Sequence, residues 1–182
     1  MEELKLPEPV KLTGERLICL QGCRSYKQYY EMRRRFEKDI CTFCELPKEN
    51  EIIWEDEHMR VWHVPLKYMR EDELKYHFVI APKRHVRRME ELTDDEAVSL
   101  HHAHQIIGAK YHMPGGGYVT RFGAIAYNAG TVDHLHVNIY VPSGDNEFRV
   151  PLMKSPEQRE ENRIRAAEFA ARYDAGEVPE TE

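Results

Sequence analysis

Three polar side chains stand on alternate positions of an otherwise apolar run: His134, His136 and Asn138 in "DHLHVNIYVP". On an extended strand, residues two apart face the same way at roughly 6.5–7 Å, so the three form one row. Leu135, Val137 and Ile139 then turn to the opposite face and pack. A row of that length can bracket a phosphate. Histidine, with an unperturbed pKa of about 6.5, is largely neutral and nucleophilic near pH 7. Asparagine holds an oxygen by hydrogen bonding without titrating. Taken alone, His-x-His is at least as often the wet face of an antiparallel sheet.

The rest of the chain shifts that balance. Cys41 and Cys44 form "CTFC", a metal-ligand spacing, and "APKRH" places His85 directly after an apolar strand. Zinc prefers four nitrogen or sulfur ligands in a tetrahedron, and Cys41, Cys44, His85 and His134 would complete such a set. A redox pair is the other reading of C-x-x-C, but the βαβ context that it wants is absent. Cys19 and Cys23, in "ICLQGC", read as buried or inert thiols, because a disulfide framework explains little in a non-secreted chain of 182 residues. His101, His102 and His104 cluster on a predicted helix, where most such residues lie at the surface or its boundary. Gly115 to Gly117 lack the Lys-Ser/Thr of a phosphate-binding loop and read as a helix stop.

Several elements must position these groups. Residues 1 to about 23 read as an irregular arm, followed by a helix to Lys38 capped by Ser25. Arg33, Arg34 and Arg35 read as its solvated face. A hairpin is predicted from Ile52–Glu55 and Arg60–Val64, and a strand over Tyr76–Pro82. Thr93 and Glu96 stand in capping-box register, opening a helix with Ala97, Leu100, His101, His104 and Ile107 on one face. Two strands follow, "VTRFGAIAYN" and "HLHVNIYVP", then a helix from Pro156 to Tyr173 with Ser155 as cap. This divides the chain into an N-terminal arm and helix (1–40), a catalytic domain (41–150) and a C-terminal helical extension with a frayed tail (151–182).

Composition bounds the function. Apolar residues make up 41% and charged residues 32%, as in a globular domain with a heavily charged surface. A formal net charge of -6 argues against a mainly electrostatic nucleic-acid binder. The apolar runs are too short to cross a bilayer, and "MEELKLPEPV" lacks the regions of a signal peptide. The expectation is a cytoplasmic protein with neither membrane nor nucleic acid as partner.

The order C-x-x-C, apolar strand–Pro-Lys-x-His, helix, Asn-x-Gly, His-x-His resembles the histidine triad superfamily of nucleotide hydrolases and transferases, over roughly Cys41 to Pro142. The resemblance implies an α+β fold, a five-stranded antiparallel sheet packed with helices and often paired as a homodimer. It implies that His136 attacks an α-phosphate of a nucleotide conjugate and forms a covalent nucleotidyl-histidine. His134 would join Cys41, Cys44 and His85 around a structural Zn2+. His77 and Asn128 match positions lining the phosphate site, with Asn138, Gly130 and Thr131 as further phosphate-binding candidates. The sequence departs from the pattern in three places. Asn138 replaces the third histidine, as an amide does in the related uridylyltransferases and phosphorylases. The loop from Asn128 to His134 is shortened and lacks the Gly-Gln-Ser run. The ribose-binding Asp is missing after Trp62–His63, where an insertion begins. Two other readings stay open: a zinc-dependent hydrolase with His-x-His as ligands, and a non-catalytic nucleotide-binding module.

Overall fold

A computed structural model describes residues 17–47, 50–64, 73–123, 125, 127–144 and 147–179. The arm up to residue 16, most of the insertion (65–72) and the end of the tail lie outside the described residues. Five antiparallel strands form one sheet: β1 (Ile52–Glu55), β2 (Met59–His63), β3 (Leu74–Pro82), β4 (Gly117–Thr120) and β5 (Val137–Pro142), in the order β1-β2-β3-β5-β4. Three helices accompany it: α1 (Tyr26–Glu37), α2 (Asp94–Tyr111) and α3 (Pro156–Asp174). The α+β architecture anticipated from the sequence is present.

Strand alternation sorts the side chains into two faces. Val61, Phe78, Ile80, Val137, Ile139 and Val141 point to one side and pack against Leu100, Ala103 and Ile107 of α2. Each such side chain contributes about 1.5–3 kcal/mol on burial. Trp62, Val79 and Ala81 point to the other side, beneath Phe43, Leu46 and Val64. His77 and Asn138 share this second face, since Val79 is the direct partner of Asn138. Both are site candidates read from the sequence.

Two predicted strands are shorter than expected. β4 ends at Thr120, and β5 begins at Val137, so His134 and His136 precede the ladder. Their segment bonds elsewhere: Leu135 N–H donates to the Val86 carbonyl (2.6 Å), and Asp133 N–H to that of Leu17 (2.9 Å). The buried face of α2 also differs from the expected one. It runs through Glu96, Ser99, Leu100, Ala103 and Ile107, while Ala97 and His101 are exposed. Two polar residues can be buried there because both are satisfied. Ser99 Oγ donates to Asp56 Oδ2 at 2.5 Å, and Glu96 accepts from Arg84. The helix stops at His112, in the left-handed region with φ 42°, before Pro114 and the glycines are reached.

α1 and α3 pack on each other through Tyr26, Tyr29, Phe169 and Tyr173. The three arginines of α1 are only partly a solvated face. Arg33 pairs with Glu37 at 2.8 Å, and Arg35 donates to the Glu45 carbonyl at 2.8 Å, bracing the end of the Cys41–Cys44 turn.

Glu96 supports the segment that presents His85. Its carboxylate accepts from Arg84 Nε (2.8 Å) and Nη2 (2.6 Å), and Nη2 also donates to the Glu91 carbonyl (2.7 Å). The Arg84 guanidinium, against opposing burial, pulls the Glu96 carboxyl from 4.5 down to about 2. Glu96→Gln should therefore cost about 2–3 kcal/mol at neutral pH. A depressed carboxyl stabilises the fold above its unfolded pKa, and this contribution is lost as pH falls through the folded one. In urea unfolding, the gap between native and variant protein should narrow below pH 4.5 and vanish near pH 2.

Candidate functional site

Cys41, Cys44, His85 and His134 converge, with one ligating atom from each and all four within 4.8 Å of one another. Cys41 Sγ lies 3.3 Å from His134 Nδ1, while Cys44 Sγ lies 3.4 Å from His85 Nδ1 and 3.5 Å from His134 Nδ1. Zinc bonds of about 2.3 Å to sulfur and 2.0–2.1 Å to nitrogen, at tetrahedral angles, set S···N edges of about 3.6 Å. The donor set fits Zn2+. With only the protein's own groups around it, burial and the neighbouring Cys41 thiol push the Cys44 thiol up to about 12. A thiol raised so far ionises readily only beside a cation.

The orientation of His134 is fixed from behind. Its Nε2–H donates to the Pro82 carbonyl at 2.9 Å, which leaves the Nδ1 lone pair for a metal. His136 does not join the cluster. Its Nδ1–H donates to the His134 carbonyl at 2.7 Å, so Nε2 carries the lone pair. Phe43, inside the C-x-x-C turn, sets its ring against His136 with centroids 4.9 Å apart. Burial, reinforced by the charge of Arg121 and opposed by the His134 carbonyl, lowers His136 to about 4. His77 and His134 are likewise lowered by burial to about 4, so all three rings are neutral at pH 7.

His136 opens into a pocket of about 200 Å³ that also reaches His77, Asn138, Thr131, Arg24 and Arg121. Its floor is the second sheet face, and its far wall is α1, through Gln28 and Met32. The structure thus brings His136, His77, Asn138, Gly130 and Thr131 together. Asn128 lies in a smaller adjoining hollow that also contacts His136.

Several of these polar groups are occupied by the protein itself. Asn138 Oδ1 accepts from His77 Nε2 at 2.9 Å, and Asn138 Nδ2 donates to the Val119 carbonyl at 3.4 Å. Asn128 Oδ1 accepts the Gly130 N–H at 2.7 Å, so that backbone N–H is not free for a phosphate. Thr131 Oγ donates to the Gly22 carbonyl at 3.3 Å. The loop is braced on both sides. Cys19 N–H donates to the Thr131 carbonyl (2.7 Å), and Ala129 N–H to the Leu152 carbonyl (3.2 Å). Gly22 allows the close approach, since a Cβ there would lie 2.8 Å from the Gly130 carbonyl oxygen.

Sequence reasoning missed Phe43, Arg24 and Arg121. Phe43 had a signal in its place between the two cysteines. Arg121 had none, because its partner is the Pro151 carbonyl, 3.1 Å from Nε and thirty residues away. The helix histidines gather no third ligand among the described residues, and His104 Nδ1–H donates to the Leu100 carbonyl at 2.8 Å. Cys23 is a buried thiol pushed up to about 12 by burial and Cys19, in keeping with an inert role. Among the described residues, no helix is long and apolar enough to cross a membrane.

No protein-family model and no curated protein matches the sequence. The chain is similar in structure to solved histidine triad proteins. One is a histidine triad family protein from Bacillus anthracis, with 21% identity and a TM-score of 0.45, covering 76% of this chain and 97% of that one. Another is a zinc-bound family member from Mycobacterium smegmatis, with 20% identity, a TM-score of 0.44, and coverage of 74% and 96%. A third is a family hydrolase from Clostridium thermocellum, with 24% identity, a TM-score of 0.44, and coverage of 60% and 96%.

Metal analysis of the purified protein should find one zinc per chain, lost in Cys44→Ser and in His85→Ala. If chelation removes about 3 kcal/mol, the Tm falls by roughly 6–12 °C for a chain of this size. An unchanged Tm after complete zinc removal would rule out a stabilising clamp.

Proposed function

We propose that this protein is a histidine-triad-type nucleotide hydrolase or transferase that acts at the α-phosphate of a nucleotide conjugate, with His136 as nucleophile. The observation that carries the reading is the division of labour between the two histidines. His134 faces the cysteines, whereas His136 stands outside the cluster, with Nδ1–H on a carbonyl and its ring on the wall of the pocket.

In this mechanism the His136 Nε2 lone pair attacks the α-phosphorus in line. The bond to the leaving group breaks, and its electron pair departs with that group. A phosphate leaving group needs no proton; an amine must take one from solvent. The nucleotidyl-imidazolium keeps its Nδ1–H on the His134 carbonyl. Water, or inorganic phosphate in a phosphorylase, then attacks the same phosphorus and passes any proton it loses to solvent, while the P–Nε2 bond breaks and returns its electron pair to Nε2, restoring neutral His136. The hydrogen bond from His77 holds the Asn138 amide in one orientation, with one of its two N–H groups on Val119 and the other left for a phosphoryl oxygen.

Zinc bound by Cys41, Cys44, His85 and His134 would be structural, fixing the backbone of His134 and hence the ring of His136. A set of four protein ligands leaves no position for a reacting water, which supports this role over Lewis-acid catalysis. The exclusion of His136 from the donor set likewise favours the nucleophile reading over a zinc hydrolase with both histidines as ligands. A cytoplasmic location, a nucleotide substrate and a homodimer are parts of the same proposal.

The test is a panel of nucleotide conjugates with and without inorganic phosphate, combined with mass spectrometry for an acid-labile nucleotide on His136. His136→Ala should lower turnover more than about a thousandfold while retaining zinc and Tm. Nucleotide binding without any turnover would favour a non-catalytic module, and zinc loss in His136→Ala would place that ring in the coordination shell.

A further inference from the structure

The shortened loop leaves an electrostatic deficit around His136. The transferred group carries negative charge, yet Gly130 N–H and the Thr131 hydroxyl are both donated inside the protein, and Asn128 supports the loop. Within the loop itself only neutral donors face the anion, and the charged donors lining the pocket are Arg24 from the segment before α1 and Arg121.

Arg121 is placed to meet that need. It stands one residue beyond the end of β4 and lines both hollows that flank His136. Its Nε–H is held by the Pro151 carbonyl at 3.1 Å, which fixes the plane of the guanidinium. Its Nη2 is buried and has no hydrogen-bond partner among the described residues. A buried donor without a partner costs about 1–3 kcal/mol or more when charged, so the folded protein tolerates the arrangement against its own stability. A phosphoryl oxygen would supply the missing acceptor.

We propose that Arg121 is a catalytic residue that contacts the non-bridging oxygens of the phosphoryl group transferred to His136, in the role that loop donors fill where the Gly-Gln-Ser run is present. The inference rests on the proposed function for its reaction, but its anion contact can be tested separately. The C-terminal extension enters the site through it, because Pro151 lies on the segment leading to α3. Arginine suits the role better than lysine: its fork can keep one nitrogen on Pro151 and offer others to oxygen.

The experiment compares the native protein with Arg121→Gln and Arg121→Lys, all checked for zinc content and Tm. Calorimetry measures AMP, GMP, CMP and UMP, each beside its own nucleoside. Native protein should bind at least one monophosphate more tightly than its nucleoside, and raised salt should weaken that preference. Arg121→Gln should weaken monophosphate binding roughly 10-fold or more and leave the nucleoside unchanged. Arg121→Lys should fall between the two. With a conjugate that is turned over, Arg121→Gln should lower kcat by about 10²–10³. A bracing role alone would weaken nucleoside and monophosphate equally, and that result would overturn the proposal. So would a native protein with no preference for any monophosphate. Turnover unaffected by Arg121→Gln would end the catalytic role of Arg121 and leave His136 as nucleophile. Monophosphate binding that depends on Arg121 in a protein that turns over no conjugate would uphold the anion contact and end the proposed reaction.

Discussion

The convergence of four soft donors at one end of the sheet is the constraint on which the site depends. Pro82 closes β3 and Val137 opens β5, and these two strands are direct antiparallel partners. Residues just beyond one strand and just before the other are therefore neighbours, which puts His85 and His134 side by side. The Cys41–Cys44 turn comes from a distant part of the chain and is seated by two further contacts: Arg35 on the Glu45 carbonyl, and Phe43 against Trp62 with centroids 5.1 Å apart. Any ion holding the four donors would tie this distant turn to two strand ends that the sheet already pairs.

That junction passes directly to His136. The carbonyl that orients its ring belongs to His134, and the aromatic ring against it is Phe43, between the two cysteines. The separation of roles between two histidines only two residues apart thus follows from hydrogen bonding. One ring spends Nε2 on Pro82 and faces the sulfurs with Nδ1; the other spends Nδ1 on its own backbone and keeps Nε2. A regular β-strand through these positions would commit the His134 carbonyl to a ladder, so the delayed start of β5 belongs to the same arrangement.

What was legible in the sequence follows the range of the interactions involved. The caps at Ser25, Thr93 and Ser155 were readable because each bonds to a backbone N–H three residues away. Strand faces were readable from alternation, and the four-donor set from spacing and residue type. The buried face of α2 was not, because Glu96 and Ser99 look like surface residues until Arg84 and Asp56 arrive from other elements. Arg121 was invisible for the same reason, and the bounds of β4 and β5 depend on pairing that no local window contains.

The terminal extensions also have a place in this geometry. The segment before α1 lies along residues 131–133, and the segment before α3 lies along residues 127–129. A loop held on both edges by backbone hydrogen bonds, with Gly22 in close contact, has little freedom left to adapt to a ligand. Its polar atoms are used to keep its shape. Any ligand in the pocket would then meet side chains that project from the surrounding elements: His77 and Asn138 from the sheet, Arg121 from the end of β4, and α1 from above. The site is a stiff frame around a few directed groups, and a stiff frame loses less entropy when a ligand is bound.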